Sequence, residues 1–227
     1  MLVEGGYCDS QRATKKQDAA INKYYDHNKI WSRRLDHNHP VWGSYSVILY
    51  NRILKLFEQH NIKSGRIIDY GCGAGKFGEL AQAAGFSYTG IDDSSAAIEL
   101  GKKTWPNQEL LEWDLAHKEL PPGLLNYAEI GSAINSLHCL TEANHRQQFL
   151  ENMALGVKSG GCLFISTMVG PLTKEFRPSE NPRLYLEPKA VLKELASVGF
   201  TDVLYRVDLA ANDQNGIPNL EAIIGKA

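Results

Sequence analysis

The sequence has few features of a disulfide-rich, metal-binding or nucleic-acid-binding protein. Its 227 residues include four cysteines, and no two of them form a C-x-x-C pair. Lysine and arginine total 24 against 26 aspartate and glutamate residues, so no basic excess points to a nucleic acid. His37 and His39 lie two apart without further ligands nearby, and no metal is expected there. We therefore expect reduced thiols and a small-molecule partner.

Long apolar segments are also absent. No apolar run approaches the roughly 20 residues that a membrane-spanning helix needs, so we expect no membrane partner. The opening stretch MLVEGGYCDSQRATKKQ is polar and lacks the apolar centre of a signal peptide. Together with the isolated cysteines, this favours a cytoplasmic location. Nothing in the pattern indicates the oligomeric state.

The chain divides into a helical start and an alternating remainder. Residues 1–62 read as an N-terminal helical lid, which includes an amphipathic helix that ends near His60. From Arg66 onward, short apolar strands alternate with helices, as in βαβ units on a parallel sheet. We expect residues 63–227 to form one α/β domain, with LEAIIGKA as an antiparallel strand at the end of the chain.

The stretch DYGCGAGKFG follows the first predicted strand and permits two interpretations. Read from Gly73, it matches the G-x-G-x-x-G dinucleotide fingerprint. Read from Asp69, it is an acid followed by glycines at 71, 73 and 75. A carboxylate at the mouth of the loop would repel a pyrophosphate, whereas it would suit an ammonium or sulfonium group. The residues therefore favour a cationic nucleoside, and S-adenosylmethionine fits.

Two further acids follow the next strands. Asp92 ends the second predicted strand, where a carboxylate can accept hydrogen bonds from both ribose hydroxyls. Dinucleotide sites use the same acid, so Asp92 alone does not discriminate between the two ligands. Asp114 ends the third strand, where it can accept from the exocyclic amine of adenine, with Leu115 donating or packing beside it.

Four motifs in this order make the sequence resemble the class I S-adenosylmethionine-dependent methyltransferases. IIDYGCGAG resembles the family's cofactor loop, YTGIDDSSAAIELGKK its ribose loop, LLEWDLAHKELP its adenine loop, and VKSGGCLFIST the turn before the fifth strand. The resemblance covers about residues 63–227 and implies a Rossmann-like fold with a mainly parallel, seven-stranded sheet and helices on both faces. It makes the dinucleotide match coincidental, because Gly78 falls inside the following helix.

The resemblance also implies an activity and a set of binding residues. It implies in-line transfer of a methyl group to an oxygen, nitrogen or carbon atom of an acceptor, with S-adenosylhomocysteine as product. Asp93 has an alternative interpretation as a solvated or capping acid, and Ser94 as a helix cap. The residues placed against the cofactor are Asp69, Gly71, Cys72, Gly73, Gly75, Asp92, Asp93, Ser94, Trp113, Asp114, Leu115, Ala133 and Asn135.

The contacts of two further residues, His138 and Glu129, follow less directly from the motifs. His138 lies after the fourth strand, where it can be a general base or a packed, hydrogen-bonded histidine beside the cofactor. Methyl transfer often needs no strong base, since the sulfonium is already activated. Glu129 stands where the family often has aspartate, so its contact with the loop is expected to differ.

The motifs do not identify the methyl acceptor. Tyr24, Tyr25 and Trp31 either cover the cofactor as part of a lid or dock the N-terminal helices. Phe176, Arg177 and Tyr185, in the aperiodic segment 170–188, are further candidate acceptor contacts. No Asn/Asp-Pro-Pro-Tyr/Phe tetrad follows INSLHCL, which favours a small molecule over DNA.

Two other functions compete with a methyltransferase. A non-catalytic binding module would keep the cofactor fold as a scaffold, but it would have no need of Asp69 and Asp92. An NAD(P)-dependent oxidoreductase on the same fold would have to hold a pyrophosphate beside Asp69.

Overall fold

The computed structural model describes residues 44–170, 174–176, 183–209 and 218–227. Within these residues, two 3-10 helices span Pro122–Leu124 and Leu137–Cys139. The helices are α1 (Ser44–Gln59), α2 (Lys76–Ala83), α3 (Ser95–Thr104), α4 (Ala143–Gly156) and α5 (Pro188–Ser197). The strands are β1 (Arg66–Tyr70), β2 (Ser87–Asp92), β3 (Glu109–Glu112), β4 (Ala128–Ile134), β5 (Val157–Met168), β6 (Lys174–Phe176), β7 (Arg183–Tyr185), β8 (Phe200–Leu209) and β9 (Asn219–Lys226).

The predicted α/β fold is confirmed by the sheet. Seven strands lie in the order β3-β2-β1-β4-β5-β9-β8, and β1 to β5 pair in parallel. β9 runs antiparallel to both β5 and β8, as expected for LEAIIGKA. The order reverses between β1 and β4, and ligands of such sheets bind at the carboxyl ends of the strands flanking this point. β6 and β7 form a separate two-stranded ribbon.

The sheet is buried on both faces, because alternate residues of its strands enter two apolar clusters. In β1, Ile67 faces the cluster that contains residues of α1 and α2, and Ile68 faces the cluster that contains residues of α4 and α5. Helices therefore cover both faces, which leaves the carboxyl edge as the place where loops can form a site.

Helix α1 corrects part of the predicted lid. Ile53 and Phe57 of α1 are fully buried, and the Phe57 ring packs edge-on against Phe86 and Phe164. Arg52 forms an ion pair with the buried Glu221 of β9. Residues 44–59 are thus a core helix on one face of the sheet, because its apolar stripe is complementary to that face. The lid prediction is left with the residues before 44, which lie outside the described residues.

Glu129 makes contacts away from the glycine loop. Its carboxylate accepts hydrogen bonds from the backbone N–H of Arg66 at 2.8 Å and from the Arg66 guanidinium at 3.2 Å, and it pairs with Lys158. These hydrogen bonds, that of Arg66 first, lower the pKa of Glu129 to about 2. The longer acid therefore ties the start of β1 to the start of β5.

The KSGG segment, which the sequence predicts as a turn, lies within β5, where it interrupts the regular pairing with β4. Val157 pairs with Ala128, and the next pair joins Cys162 to Ile130, so residues 158–161 stand out from the ladder.

Within the described residues, no helix is both long and apolar enough to cross a membrane.

Candidate functional site

The glycine loop leaves β1 at the carboxyl edge of the sheet. Gly71, Gly73 and Gly75 have φ angles of 76°, 58° and 77°, in the left-handed region that favours glycine. The N–H groups of Gly71 and Cys72 donate to the carbonyl of Ile91 at 2.8 and 3.0 Å. These bonds fold the loop against the end of β2, and Gly75 then caps α2.

Asp92, at the end of β2, holds the glycine loop in place by hydrogen bonding. Its side chain is 7% exposed and accepts hydrogen bonds from the N–H groups of Gly73 at 2.8 Å and of Ser94 at 3.0 Å. The Ser94 hydroxyl accepts from the N–H of Ala97 and caps α3. Two predicted binding elements, the glycine loop and the acid after the second strand, are therefore brought together through one carboxylate.

Asp69 lies beneath the loop. It is 2% exposed, and its two oxygens accept from the hydroxyls of Tyr88 at 2.8 Å and Ser132 at 2.7 Å. Burial first, and the charge of Asp92 to a smaller extent, raise the pKa of Asp69 to about 6, although the hydrogen bonds from Ser132 and Tyr88 act to lower it. Asp69 thus joins β1, β2 and β4 through hydrogen bonds, and its near-complete burial leaves little of the carboxylate for direct contact with a ligand.

Tyr88 also explains the dinucleotide-like glycine. Gly78 lies inside α2, as expected, and a Cβ added there would lie 2.5 Å from ring carbons of Tyr88. The glycine therefore lets α2 pack closely on β2. Sequence reasoning missed Tyr88, although its place in an alternating strand could have marked it as inward-facing.

Cys72 is a half-buried free thiol in the glycine loop. Burial, followed by the charges of Asp92 and Asp69, raises the pKa of Cys72 well above its ordinary value. Its thiol donates to the carbonyl of Gly73 at 3.3 Å. Cys72 therefore contributes packing and loop shape, and stays uncharged.

The predicted adenine loop follows β3. One oxygen of Asp114 accepts from the N–H groups of Ala116 at 3.0 Å and His117 at 3.2 Å. The other lies 2.8 Å from Nδ1 of His117, whose ring centroid is 4.1 Å from that of His145 in α4, with the two rings tilted by 59°. Trp113 donates through its backbone N–H to the carbonyl of Asp92 at 2.9 Å, which brings the ends of β2 and β3 together.

Asn152 of α4 holds this loop from below, and sequence reasoning missed it. Its buried side-chain amide donates to the carbonyls of Leu115 and Lys118, both at 2.8 Å. Its oxygen accepts from the N–H of Leu120, also at 2.8 Å. A polar residue between Leu150 and Met153 on the apolar side of a helix was the available signal.

We expect Asn152→Leu to destabilise the protein by about 3 kcal/mol, since it leaves three backbone groups without partners. Urea denaturation monitored by circular dichroism would measure this loss. The control is Gln147→Leu on the exposed side of α4, expected to change the free energy of unfolding by less than about 0.5 kcal/mol. Equal losses in the two variants would contradict this role for Asn152.

The exit of β4 completes the edge. Ala133 is fully buried and pairs with Ile165, so only its backbone can face a ligand. Asn135 has a φ angle of 57°, and its N–H donates to the carbonyl of Ser166 at 2.7 Å. Asn135 therefore turns the chain sharply where the sheet order reverses.

The contacts of His138 favour the packed alternative over the general base. The ring is 3% exposed, and the N–H of Met168 donates to its Nδ1 at 3.3 Å. Nδ1 also lies 3.2 Å from the hydroxyl of Thr167. Because a backbone N–H can only donate, the proton of a neutral ring is on Nε2. Burial first, and the charge of Arg183 second, lower the pKa of His138 well below its ordinary value.

Of the predicted acceptor contacts, Tyr185 is placed in this region. It is buried at the end of β7, and its ring lies 6.4 Å from that of His138. Tyr24, Tyr25, Trp31 and Arg177 lie outside the described residues. In the part of the chain that the structure describes, no group of three or more His, Cys, Asp or Glu residues is placed to hold a metal.

Comparison with known proteins finds matches among methyltransferases. A family model described as a methyltransferase domain matches residues 45–210. A Schizosaccharomyces pombe protein named mitochondrial ubiquinone biosynthesis O-methyltransferase is 26% identical, over 74% of this chain and 61% of that protein. A Coxiella burnetii ubiquinone biosynthesis O-methyltransferase is 30% identical, over 51% of this chain and 49% of that protein. The chain thus spans about half to three fifths of these relatives.

A solved structure of low sequence identity has a similar fold. It is a Burkholderia thailandensis 1,6-didemethyltoxoflavin-N1-methyltransferase with bound 1,6-didemethyltoxoflavin and S-adenosylhomocysteine. It is 12% identical, with a TM-score of 0.66, and the match covers 100% of this chain and 98% of that one. The likeness confirms the Rossmann-like methyltransferase architecture.

Proposed function

Since the chain belongs to the methyltransferase domain family, we propose that it is an S-adenosylmethionine-dependent methyltransferase acting on a small molecule. The observation that carries this proposal is the hydrogen bond from the glycine loop at Gly73 to Asp92. It brings the loop and the ribose acid together beside the reversal of sheet order, above the buried Asp69 carboxylate.

The residues at this edge fit S-adenosylmethionine in two respects. Asp92 and Asp114 offer carboxylates to the ribose and to the adenine amine, at the ends of adjacent strands. The buried charge of Asp69 favours a cation over a pyrophosphate.

When bound, S-adenosylmethionine supplies a methyl group on a sulfonium sulfur, and in-line transfer to an acceptor leaves neutral S-adenosylhomocysteine. Asp69 stabilises the sulfonium by its field. We expect a neutral His138 to be a hydrogen-bond donor through Nε2, because its Nδ1 accepts from the N–H of Met168. Orientation at the edge, with no strong base, supplies the rate enhancement that this chain contributes.

We propose an oxygen atom as the first acceptor to test, with nitrogen and carbon as alternatives. Two relatives are named O-methyltransferases of ubiquinone biosynthesis, and the structural neighbour is named an N1-methyltransferase. A lid formed by the residues before 44, with Tyr24, Tyr25 and Trp31, stays part of the proposal, as does an acceptor contact from Tyr185. The cytoplasmic location also stays a proposal, since one relative's name includes mitochondria.

We expect the purified protein to bind S-adenosylmethionine and S-adenosylhomocysteine at about micromolar Kd, and NADH not at all, in calorimetric titrations. Tight NADH binding with none of the adenosyl ligands would establish the oxidoreductase instead. Binding shared by all three ligands would overturn the argument from Asp69.

Turnover separates the enzyme from a binding module. Phenols, catechols and nitrogen heterocycles are each incubated with the protein and S-adenosylmethionine, and methylated product is detected by mass spectrometry. A product whose formation stops in Asp92→Ala supports the methyltransferase. Tight cofactor binding without methylation across the whole panel would favour the non-catalytic module.

A further inference from the structure

Asp114, the predicted adenine acid, shares its carboxylate with a histidine of its own loop. One oxygen accepts from the N–H groups of Ala116 at 3.0 Å and His117 at 3.2 Å. Nδ1 of the His117 ring lies 2.9 Å from this oxygen and 2.8 Å from the other. The side chains of Asp114 and His117 are both 33% exposed, so a ligand can reach the carboxylate, but the imidazole ring already lies against it.

A second histidine, on α4, packs beside this pair. The ring centroid of His145 lies 4.1 Å from that of His117. Burial first, and the charge of His117 second, lower the pKa of His145, while Glu142 and Asp114 act to raise it. A positive charge on His117, by contrast, has the Asp114 carboxylate as its direct counter-ion. A proton gained by these two rings therefore goes to His117, beside the carboxylate.

The remaining charged groups around the two rings come from the same loop and from α4. In the loop, Nζ of Lys118 lies 5.0 Å over the ring of Trp113. At the start of α4, Glu142 is the N-cap residue, and Arg146 is paired with Glu194 of α5. Imidazole is the side chain whose charge ordinarily changes just below neutral pH. The histidine ring is therefore the group that can change the charge beside Asp114 in this range.

Resting on the proposed function, the adenine amine must donate to a carboxylate that His117 already contacts. A neutral imidazole donates one N–H to the carboxylate, whereas an imidazolium forms a shorter and stronger bond and offsets its charge. We infer that His117 is a positioning residue that makes the adenine acid sensitive to pH, because its charged ring holds Asp114 against its own loop. Acid thus weakens cofactor binding at the adenine end, and a donor that does not titrate removes this effect.

The test is His117→Gln, because a glutamine amide can donate to Asp114 and does not titrate. The Kd of S-adenosylhomocysteine is measured by calorimetry at pH 8 and pH 5.5. Wild type and variant should bind equally at pH 8, and wild type should bind about threefold more weakly than the variant at pH 5.5. The two proteins are compared at each pH because Asp69, with a pKa of about 6, titrates in the same range in both.

A second measurement follows the ring itself in wild type. Proton NMR records the pH at which the His117 signals change, with the assignment taken from the signals missing in His117→Gln. Because binding and protonation oppose each other at one carboxylate, S-adenosylhomocysteine should move this transition to lower pH. A residue that only supports the fold of the loop would give the same transition with and without the ligand.

The control is His60→Gln, since the His60 ring lies 5.9 Å from that of Tyr205 in β8, at the opposite edge of the sheet from β3. This variant should show the same pH dependence as wild type. If His117→Gln follows wild type at both pH values, weakens binding at pH 8, or if the NMR transition does not move, the inference is wrong. If wild type binds no S-adenosylhomocysteine at either pH, the proposed function fails, and this inference fails with it.

Discussion

Asp92→Ala is expected to weaken S-adenosylhomocysteine binding by at least about a hundredfold. A carboxylate that accepts two ribose hydroxyls contributes about 1.5–3 kcal/mol through each charged hydrogen bond, and each 1.4 kcal/mol is tenfold in Kd. The same side chain accepts from Gly73 and Ser94, so the variant also releases the glycine loop from β2. Calorimetric titration of wild type and variant measures both Kd values.

Two further variants test whether the loss of affinity comes from the carboxylate of Asp92. Asp92→Asn keeps one acceptor oxygen without the charge, and its Kd should fall between those of wild type and Asp92→Ala. Asp208→Ala, which removes an exposed acid paired with Arg206 on β8, should bind like wild type. If Asp92→Ala binds within about threefold of wild type, the ribose site is elsewhere on the molecule.

Asp69→Asn is expected to stabilise the ligand-free protein at neutral pH and to weaken its affinity for the S-adenosylmethionine cation. The pKa of Asp69 is raised from 3.8 to about 6, so the folded state holds this proton more tightly than the unfolded state. The resulting stability is complete below about pH 4 and is lost as the pH rises through about 6. For a fully buried group, a shift of this size corresponds to about 3 kcal/mol.

Asparagine removes the buried charge but also changes the two hydrogen bonds from Tyr88 and Ser132, since one hydroxyl must turn to accept from the amide. We therefore expect a net gain of about 1–2 kcal/mol at pH 7.5 and none at pH 4. Urea denaturation across this range, in wild type and variant, measures the difference. A variant less stable than wild type at pH 7.5 would show that the carboxylate is a net stabiliser.

The ligand side of the same variant tests the role of the charge. S-adenosylmethionine is a sulfonium cation, whereas S-adenosylhomocysteine is a neutral thioether at that position. The loss of the Asp69 field should weaken the former by about tenfold and the latter by clearly less. Equal weakening of the two ligands would mean that Asp69 shapes the loop and does not select the cation.

The local patterns of the chain predicted where several candidate site residues lie in the fold. Glycines at alternate positions after an apolar strand can only be a tight turn, and the acids after β2 and β3 fall at the carboxyl edge because parallel strands share it. The interpretation of Gly78 as a helix residue is confirmed, since the helix begins at Lys76. The antiparallel last strand followed from its place after the final helix.

Other residues could not be found this way. Asp69 and Ser132 are 63 positions apart, and Asn152 lies 37 positions from Leu115, so their hydrogen bonds depend on how distant elements meet. No periodicity records which strand face turns a hydroxyl toward a given carboxylate. The same limit explains why α1 was assigned to a lid: its amphipathic stripe states that one side is buried but not against what.

The sequence by itself determined the strand order along the chain, the glycine loop and the acids that follow β2 and β3, because these follow from local geometry and from the shared direction of parallel strands. Only the tertiary structure decided that Asp69 is a buried acceptor of two hydroxyls, that Asn152 supports the loop after β3, and that the buried hydroxyl of Ser136 lies against Gly71. The physical reason is that burial and hydrogen-bond partners are properties of contacts between distant segments, which exist only once the helices have docked on the twisted sheet.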